Sequence, residues 1–266
     1  MDSRYDRVPC GDLVAFVDLL GFRSFSTALH PHSGPAVETP DPAGAYARAN
    51  GLLMCFCRAI DTLCNTPPFT DNIKAYQGSD CVYLKSAIPR VIIQFVKLLY
   101  QHCVMNRVLL RGALTYGNIH DLRALGFTPR SNAEFLPIWG DAVSLAVPME
   151  SILTGSRFLI DGDIQLGDGR PPVSLREVSH PDIVMVREQL REKVLEQFPN
   201  LSPYELQWHR VDAGDVPQPL GVWGLPRSSA EILATLRAME NQYQQDNNQK
   251  GLEQVQKTVS FVSGLV

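Results

Sequence analysis

The 266-residue chain lacks any uninterrupted apolar run of about 18 residues, the length that a membrane-spanning helix requires. Residues 1–7 are charged and polar, which is unlike a secretion signal. The chain also lacks a net positive charge, because 24 Lys and Arg against 28 Asp and Glu give a formal net charge of −4. A nucleic-acid coat or a binder of anionic membranes needs a net basic face. We therefore expect a soluble, cytoplasmic protein with neither nucleic acid nor membrane as partner.

The sequence also lacks the cysteine and histidine spacing of a zinc site and the residues of a nucleophilic triad. The six cysteines form no pair of CxxC units and have no histidine at zinc-ligand spacing, which argues against a structural zinc. Ser24 and Ser26 have no neighbouring base, so nothing supports a nucleophilic serine. Four cysteines lie in apolar patterns of helical spacing, which predicts reduced thiols in a core. These are Cys55, Cys57, Cys64 and Cys103.

What is present suffices for one large folded unit. Apolar residues make up 45% of the chain, enough for a substantial core at this length. We predict a catalytic domain over residues 1–227 and a helical C-terminal extension over residues 228–266. The extension is rich in Gln and Asn, and we expect it to pack on the domain or on a dimer partner.

Hydrophobic periodicity gives the element order. The first half predicts strand, helix, strand, strand, helix, strand, which is the ferredoxin-like βαββαβ arrangement of an α+β fold, with helices on one face of the sheet. The predicted strands span residues 13–18, 73–77, 81–85 and 108–116, and the helices span 46–64 and 89–106. Beyond these we predict a helix over 142–153, a strand over 157–160, a helix over 183–198 and a last strand over 220–225.

Two aspartates stand where apolar strands meet small-residue turns. Asp18 closes the apolar run 13–17, and Asp80 follows the Gly78-Ser79 turn of the predicted hairpin. Two carboxylates at one sheet edge can hold divalent metal against a triphosphate. Asp18 alone fits a turn or capping aspartate equally well, because aspartate is common at turns. The pairing with Asp80 favours the metal-site interpretation.

Four segments then resemble class III nucleotidyl cyclases. Val-Ala-Phe-Val-Asp-Leu-Leu-Gly-Phe resembles the first-strand motif of that family, and Ile-Lys-Ala-Tyr-Gln-Gly-Ser-Asp resembles its second metal motif. Leu-Arg-Gly-Ala-Leu-Thr-Tyr-Gly is similar to the fourth strand, and Ile-Trp-Gly-Asp-Ala-Val-Ser-Leu-Ala is similar to a helix start that faces the base and ribose. These segments are residues 14–22, 73–80, 110–117 and 138–146.

The resemblance implies a reaction and a set of roles. A ribose 3′-hydroxyl would attack the α-phosphate of its own nucleotide and release a 3′,5′-cyclic nucleotide and pyrophosphate. Asp18 and Asp80 would hold two Mg²⁺ or Mn²⁺ ions, with the Leu19 carbonyl as a further ligand. The backbone of Gly21, Phe22 and Arg23 would cradle phosphate oxygens. The resemblance also implies a homodimer with its sites at the interface.

Departures from the family pattern concern base recognition and the transition state. Tyr76 stands where purine cyclases carry a base-reading lysine, and Pro137 stands where they carry a polar base reader. Ser144 and Pro148 occupy the helix positions of the usual asparagine and transition-state arginine. Another group must then stabilise the α-phosphate, with Arg111 as the first candidate and Arg23 as the second.

Two explanations of these changes compete. The chain could be a non-catalytic cyclase-like module, although decay seldom spares both acids, whose mutual repulsion destabilises a metal-free site. Otherwise the site is retuned for a smaller base, because a phenol can stack on or hydrogen-bond to a pyrimidine. The pattern resembles the pyrimidine cyclases of Pycsar anti-phage systems. That resemblance implies a uridylate cyclase, a lyase that converts UTP to cyclic UMP, which acts on a separate effector. A cytidylate cyclase and an unusual purine cyclase stay open as alternatives.

Overall fold

The first half of the chain builds a four-stranded sheet with two helices. The computed structural model describes residues 11–20, 42–124, 126, 138–164, 173–175, 182–211 and 224–264. The first half contains β1 (Asp12–Leu19), α1 (Pro42–Cys64), β2 (Lys74–Gln77), β3 (Cys81–Ser86), α2 (Pro89–Met105) and β4 (Leu110–Gly117). The four strands lie in the order β4-β1-β3-β2, and all three neighbouring pairs are antiparallel. This confirms the predicted α+β fold with its ferredoxin-like βαββαβ core.

The second half extends the same sheet beyond β4. Its elements are β5 (His120–Asp121), β6 (Ile138–Trp139), α3 (Asp141–Glu150), β7 (Phe158–Asp161), β8 (Asp163–Ile164), β9 (Val173–Ser174), β10 (Ile183–Met185), α4 (Glu188–Gln197), β11 (Pro203–Leu206), α5 (Ser229–Gln245) and α6 (Gln249–Val262). The seven-stranded sheet has the order β10-β11-β7-β4-β1-β3-β2, and β7 runs parallel to β4. The short pairs β5-β6 and β8-β9 are separate from it.

Helices cover both faces of the sheet. The odd-numbered residues 13–19 of β1 are buried in the large core that also contains side chains of α1 and α2, so these two helices share one face as predicted. Val14 and Phe16 point the other way and pack with Ala142 and Ala146 of α3. The alternation follows from the pleat of a strand, which sends successive side chains to opposite faces. Because Asp18 has the parity of Val14 and Phe16, it belongs to the α3 face.

Two predicted elements beyond the core need correction. The expected helix over residues 183–198 is wrong at its start, because Ile183–Met185 form β10 and the helix begins only at Glu188. The physical reason is the backbone pairing of β10 with β11, a strand that the sequence analysis did not identify. Most of the expected strand over 220–225 lies outside the described residues, and its described end, Gly224 and Leu225, is not in a strand.

The two C-terminal helices, α5 and α6, pack against the rest of the chain. The Arg107 guanidinium donates to the Gln242 side chain of α5 at 2.8 Å, and Thr258 of α6 accepts from the Ser156 backbone N–H at 2.8 Å. The extension therefore contacts its own domain, while the boundary near residue 228 stays a prediction. Within the described ranges, none of the helices combines the length and apolar character that a bilayer crossing demands.

His209 packs against α6, and its titration makes the stability of the fold depend on pH. Its ring is 8% exposed and meets the Phe261 ring edge-on at 5.2 Å. Burial, followed by the nearby Arg210 charge, lowers the pKa of His209 from 6.5 to about 4, against the opposing charge of Asp182 and with Lys97 also lowering it. A histidine with a depressed pKa binds its proton more readily in the unfolded chain.

We expect acid to weaken the fold through this histidine. The contribution of neutral His209 is complete above pH 6.5 and declines as pH falls toward 4, by roughly 2 kcal/mol between pH 7.5 and pH 5. Urea unfolding of the parent and of His209→Gln at both values measures the difference, since the glutamine does not titrate. An identical pH dependence in the two proteins would contradict the assignment.

Candidate active site

Asp18 and Asp80 meet at one end of the sheet. Asp18 lies opposite Cys81 of β3 and opposite Arg111 of β4. The backbone N–H of Leu19 donates to the Asp80 carbonyl at 2.9 Å, which ties the end of β1 to the turn between β2 and β3. The Ser79 hydroxyl donates to the Asp80 carboxylate at 2.7 Å and orients it. The strand end and the hairpin turn thus bring the two acids together.

The surroundings of Asp18 do not fully offset the cost of ionising its buried carboxyl. Its side chain is 20% exposed, and Arg111 Nη2 lies 3.5 Å from Oδ2. Burial first, and then the negative charge of Asp80, raise the pKa of Asp18 from 3.8 to about 6, although Arg111 and the Leu19 backbone N–H act in the opposite direction. Arg111 alone does not offset the loss of solvation and the neighbouring acid. An additional positive charge would stabilise ionised Asp18 here.

The available donor atoms suit a hard divalent cation. Carboxylate and carbonyl oxygens are the ligands that Mg²⁺ and Mn²⁺ prefer, and this end of the sheet offers two carboxylates with the Leu19 carbonyl nearby in the chain. In the part of the chain that the structure describes, no group of three or more His, Cys, Asp or Glu side chains is placed to hold a metal. Two acids and substrate oxygens together fit a magnesium-type site, because Mg²⁺ is usually bound through one or two carboxylates plus phosphates.

Arg111 has a second acidic partner on α3. Its guanidinium Nε forms an ion pair with the carboxylate of Glu150, whose side chain is 5% exposed. The Arg111 side chain itself is 33% exposed. It therefore bridges a buried acid on the helix and the candidate metal ligand Asp18. This bridge fixes α3 against the sheet and limits how far the guanidinium can move.

Tyr76 is more buried than a base-stacking role suggests. The residue is 8% exposed and packs with Val14 and Phe16 on the α3 face. The hydrogen bond between Lys74 and Asp121 comes first in raising the pKa of Lys74 and lowering that of Asp121, and the Tyr76 side chain adds to both shifts. Lys74 Nζ lies 2.8 Å from Asp121 Oδ2 and 5.2 Å from the centre of the Tyr76 ring. The exposed polar group in this part of the face is the lysine, two residues before the tyrosine.

The start of α3 is held tightly to the turn after β4. Gly140 has φ of +150°, and a Cβ there would lie 2.0 Å from the Asn118 carbonyl oxygen, so only glycine permits this approach. The Asp141 carboxylate accepts from the backbone N–H of Asn118 at 2.6 Å and of Ala142 at 2.9 Å. One turn on, the Ser144 hydroxyl donates to the Gly140 carbonyl at 3.0 Å. Ser144 is exposed, so its oxygen is accessible from solvent.

The predicted site residues fall into three groups. The structure brings Asp18, Leu19, Asp80 and Arg111 together, and it places Tyr76 and Ser144 on the α3 face. Their roles toward metal and substrate stay predictions. The remaining predicted residues, together with Pro137, lie outside the described residues. They are Gly21, Phe22 and Arg23.

Sequence reasoning missed Glu150, Lys74 and Asp121. A signal for Glu150 exists, because residues 142, 146 and 150 share one stripe of α3, and a charged residue on a buried stripe requires a partner. Lys74 shares a strand face with Tyr76 by the period of two. Nothing local identifies Asp121, since its contact with Lys74 joins residues 47 positions apart.

No family model and no curated protein matches this chain. Among solved structures, the chain is similar to the adenylyl cyclase CyaB from P. aeruginosa, with 14% identity, a TM-score of 0.42 and coverage of 77% of this chain and 97% of that one. It is also similar to the guanylate cyclase domain of RhGC from Catenaria anguillulae in complex with GTP, at 12% identity, a TM-score of 0.42 and coverage of 74% and 95%. Likenesses of this size carry no conclusion about activity.

Proposed function

We propose that the protein is a metal-dependent nucleotidyl cyclase of the class III type that converts UTP to cyclic UMP and pyrophosphate. The observation that carries the proposal is the meeting of Asp18 and Asp80 at the end of β1, where burial and like charge leave Asp18 in need of a cation. Arg111 lies beside them with its guanidinium partly exposed. Carboxylates and an arginine at one sheet end are suited to positioning a triphosphate.

Each residue has a defined part in the proposed reaction. Asp18 and Asp80, with the Leu19 carbonyl, hold Mg²⁺ or Mn²⁺, which when bound supplies charge stabilisation on the triphosphate and acidifies the ribose 3′-hydroxyl. Residues 21–23, which lie outside the described residues, are assigned to the phosphate oxygens by the family resemblance alone. Arg111 faces the α-phosphate, where negative charge increases in the transition state, and Glu150 fixes its direction. In this proposal Arg111 takes over the role of the family's transition-state arginine, whose helix position is occupied here by Pro148.

A pyrimidine base is supported by the groups around Tyr76. The tyrosine hydroxyl, the Lys74 amine and the Asp121 carboxylate form one polar cluster, which offers both donors and an acceptor to the edge of a base. A uracil edge presents the complementary acceptor and N–H donor. UTP is preferred over CTP in this proposal, and the cyclic product acts on a separate effector in anti-phage defence.

The direct test of the proposal is product identification. The purified chain is incubated with Mn²⁺ and each of the four ribonucleoside triphosphates, and the products are identified by mass. Cyclic UMP and pyrophosphate in equal amounts are the expected result, and cyclic CMP would move the assignment to a cytidylate cyclase. If no triphosphate yields a cyclic product, the protein is a nucleotide-binding or partner-binding module instead.

Tyr76→Phe is expected to change base preference more than turnover. The substitution removes only the hydroxyl and keeps the ring among Val14 and Phe16. Loss of one specific hydrogen bond in the cluster should alter the UTP-to-CTP ratio of kcat/KM by about tenfold. Competition between the two triphosphates measures this ratio. Val147→Ala, at an exposed position of α3, serves as a control. An equal loss of rate with every base would contradict the role of Tyr76.

A further inference from the structure

A cleft between α1 and α2 contains a half-buried thiol beside an imidazole. The cleft has a volume of about 720 Å³, and Cys55 and Arg58 of α1 face His102 and Asn106 at the end of α2. None of these residues belongs to the candidate active site. Cys55 is open to solvent through the cleft, whereas the neighbouring Cys103 of α2 is fully buried. The cleft therefore exposes one member of a thiol pair.

Cys55 of α1 packs against the core cluster that contains the buried Cys103 of α2. A hydrogen bond between the two thiols is the first cause of the lowered pKa of Cys55, and it adds to burial in raising the pKa of Cys103. Both cysteines are free thiols. A solvent-accessible thiol with a second thiol directly behind it is the arrangement that lets an oxidised cysteine be captured as a disulfide.

His102 supplies a donor to this pair. The Asn106 amide nitrogen donates to the His102 carbonyl at 2.9 Å, and the same nitrogen lies 3.4 Å from His102 Nε2. His102 lines the cleft beside Cys55, and a hydrogen bond from the imidazole is among the causes that lower the pKa of Cys55. The imidazole thus favours the thiolate of Cys55.

Electrostatics act on the two thiols in opposite directions. The hydrogen bond from Cys103, opposed by burial, and then the hydrogen bond and charge of His102 hold the pKa of Cys55 below its usual range. Burial raises the pKa of Cys103 well above the usual value. Arg58 and Asp61, the other charged groups of the cleft, lie on α1 and carry opposite signs. The exposed thiol is therefore the nucleophile, and the buried one stays protonated.

We propose that Cys55 and Cys103 form a redox-active pair that is oxidised to a disulfide by hydroperoxides entering the α1-α2 cleft. The Cys55 thiolate attacks a peroxide oxygen, the O–O bond breaks, and a sulfenic acid forms while hydroxide leaves and takes up a proton. The Cys103 sulfur then attacks the Cys55 sulfur, the S–O bond breaks, and the Cys103 proton leaves with the hydroxyl as water. Two thiols and one molecule of hydrogen peroxide give one disulfide and two waters, whereas an organic hydroperoxide gives an alcohol in place of the first water.

The test uses the reduced full chain and hydrogen peroxide. We expect the intact mass to fall by about 2 Da and a non-reducing digest to contain the Cys55-Cys103 linked peptide. In Cys103→Ser the sulfenic acid of Cys55 has no thiol behind it and should be trapped by dimedone. Cys64→Ser is the matched control, because Cys64 lies on the same helix with a pKa raised to about 11 by burial and Asp61, and its loss should leave the linkage unchanged.

A second measurement needs no variant. Limiting iodoacetamide at pH 7 should label Cys55 at least about ten times faster than Cys64, as peptide mass mapping of the parent protein reports. Labelling of Cys55 no faster than Cys64 would overturn the proposal. So would peroxide treatment that yields no linked peptide, or that oxidises Cys55 only beyond the sulfenic state. Neither readout depends on cyclase activity.

Discussion

Asp18→Asn and Asp80→Asn should each reduce cyclic nucleotide formation by at least about 100-fold. Removing a residue that only hydrogen-bonds to a metal ligand and orients it already costs between about 10- and 100-fold, so the loss of a direct ligand should cost no less. Asparagine keeps the shape of each side chain and removes its negative charge. The measurement is the rate of cyclic UMP formation from UTP over a range of Mn²⁺ concentrations, because higher metal should recover part of the rate if binding is weakened.

The control for this pair is Asp12→Asn. Asp12 lies on the same strand at the opposite end and pairs with Lys85 at 2.7 Å, so the chemical change is identical and the site is untouched. It should retain the parent's rate. Asp18→Asn should also unfold at a temperature no lower than the parent without metal, because the ionised carboxyl is disfavoured by burial and by Asp80. Parent-like rates in both site variants would remove the basis for a metal-dependent enzyme.

The core of the fold is predictable from sequence because its signals are local. Alternating and helical periodicities identify the elements from β1 to β4, and the antiparallel register then follows from the buried faces. The three-residue β10 is too short to show a period, and its identity as a strand depends on pairing with β11 some 20 residues later. A pattern within a short window of sequence does not contain information about pairing with a distant strand. Sequence analysis therefore assigned β10 to the helix that follows it.

The site shows the same division between local and non-local information. A strand end and a hairpin turn are local features, and they are enough to predict that Asp18 and Asp80 lie close together. Glu150 could not be placed beside Arg111, because the predicted architecture did not assign α3 to the opposite face of the sheet. The contact of Lys74 with Asp121 depends on β5, a two-residue strand without a sequence signal. Ion pairs between residues far apart in the chain can therefore be identified only from the folded structure.

Arg111→Met should lower both stability and turnover. The substitution leaves the buried Glu150 carboxylate without its guanidinium, which costs about 3 kcal/mol or more in comparable buried pairs. It should also decrease kcat by about 100-fold, the usual loss for one donor that stabilises transition-state charge. Urea unfolding and UTP turnover are measured on the same preparation. Alone, this variant does not separate a catalytic arginine from a structural one.

The double variant Arg111→Met/Glu150→Leu separates the two roles. Replacing a buried ion pair by apolar side chains of similar volume is often neutral or stabilising, so the double variant should unfold within about 1 kcal/mol of the parent. If Arg111 acts on the α-phosphate, turnover stays about 100-fold low although the fold is restored. Recovery of turnover together with stability would show that Arg111 only anchors α3. The α-phosphate would then need a different donor, and Arg23 would be the next residue to substitute.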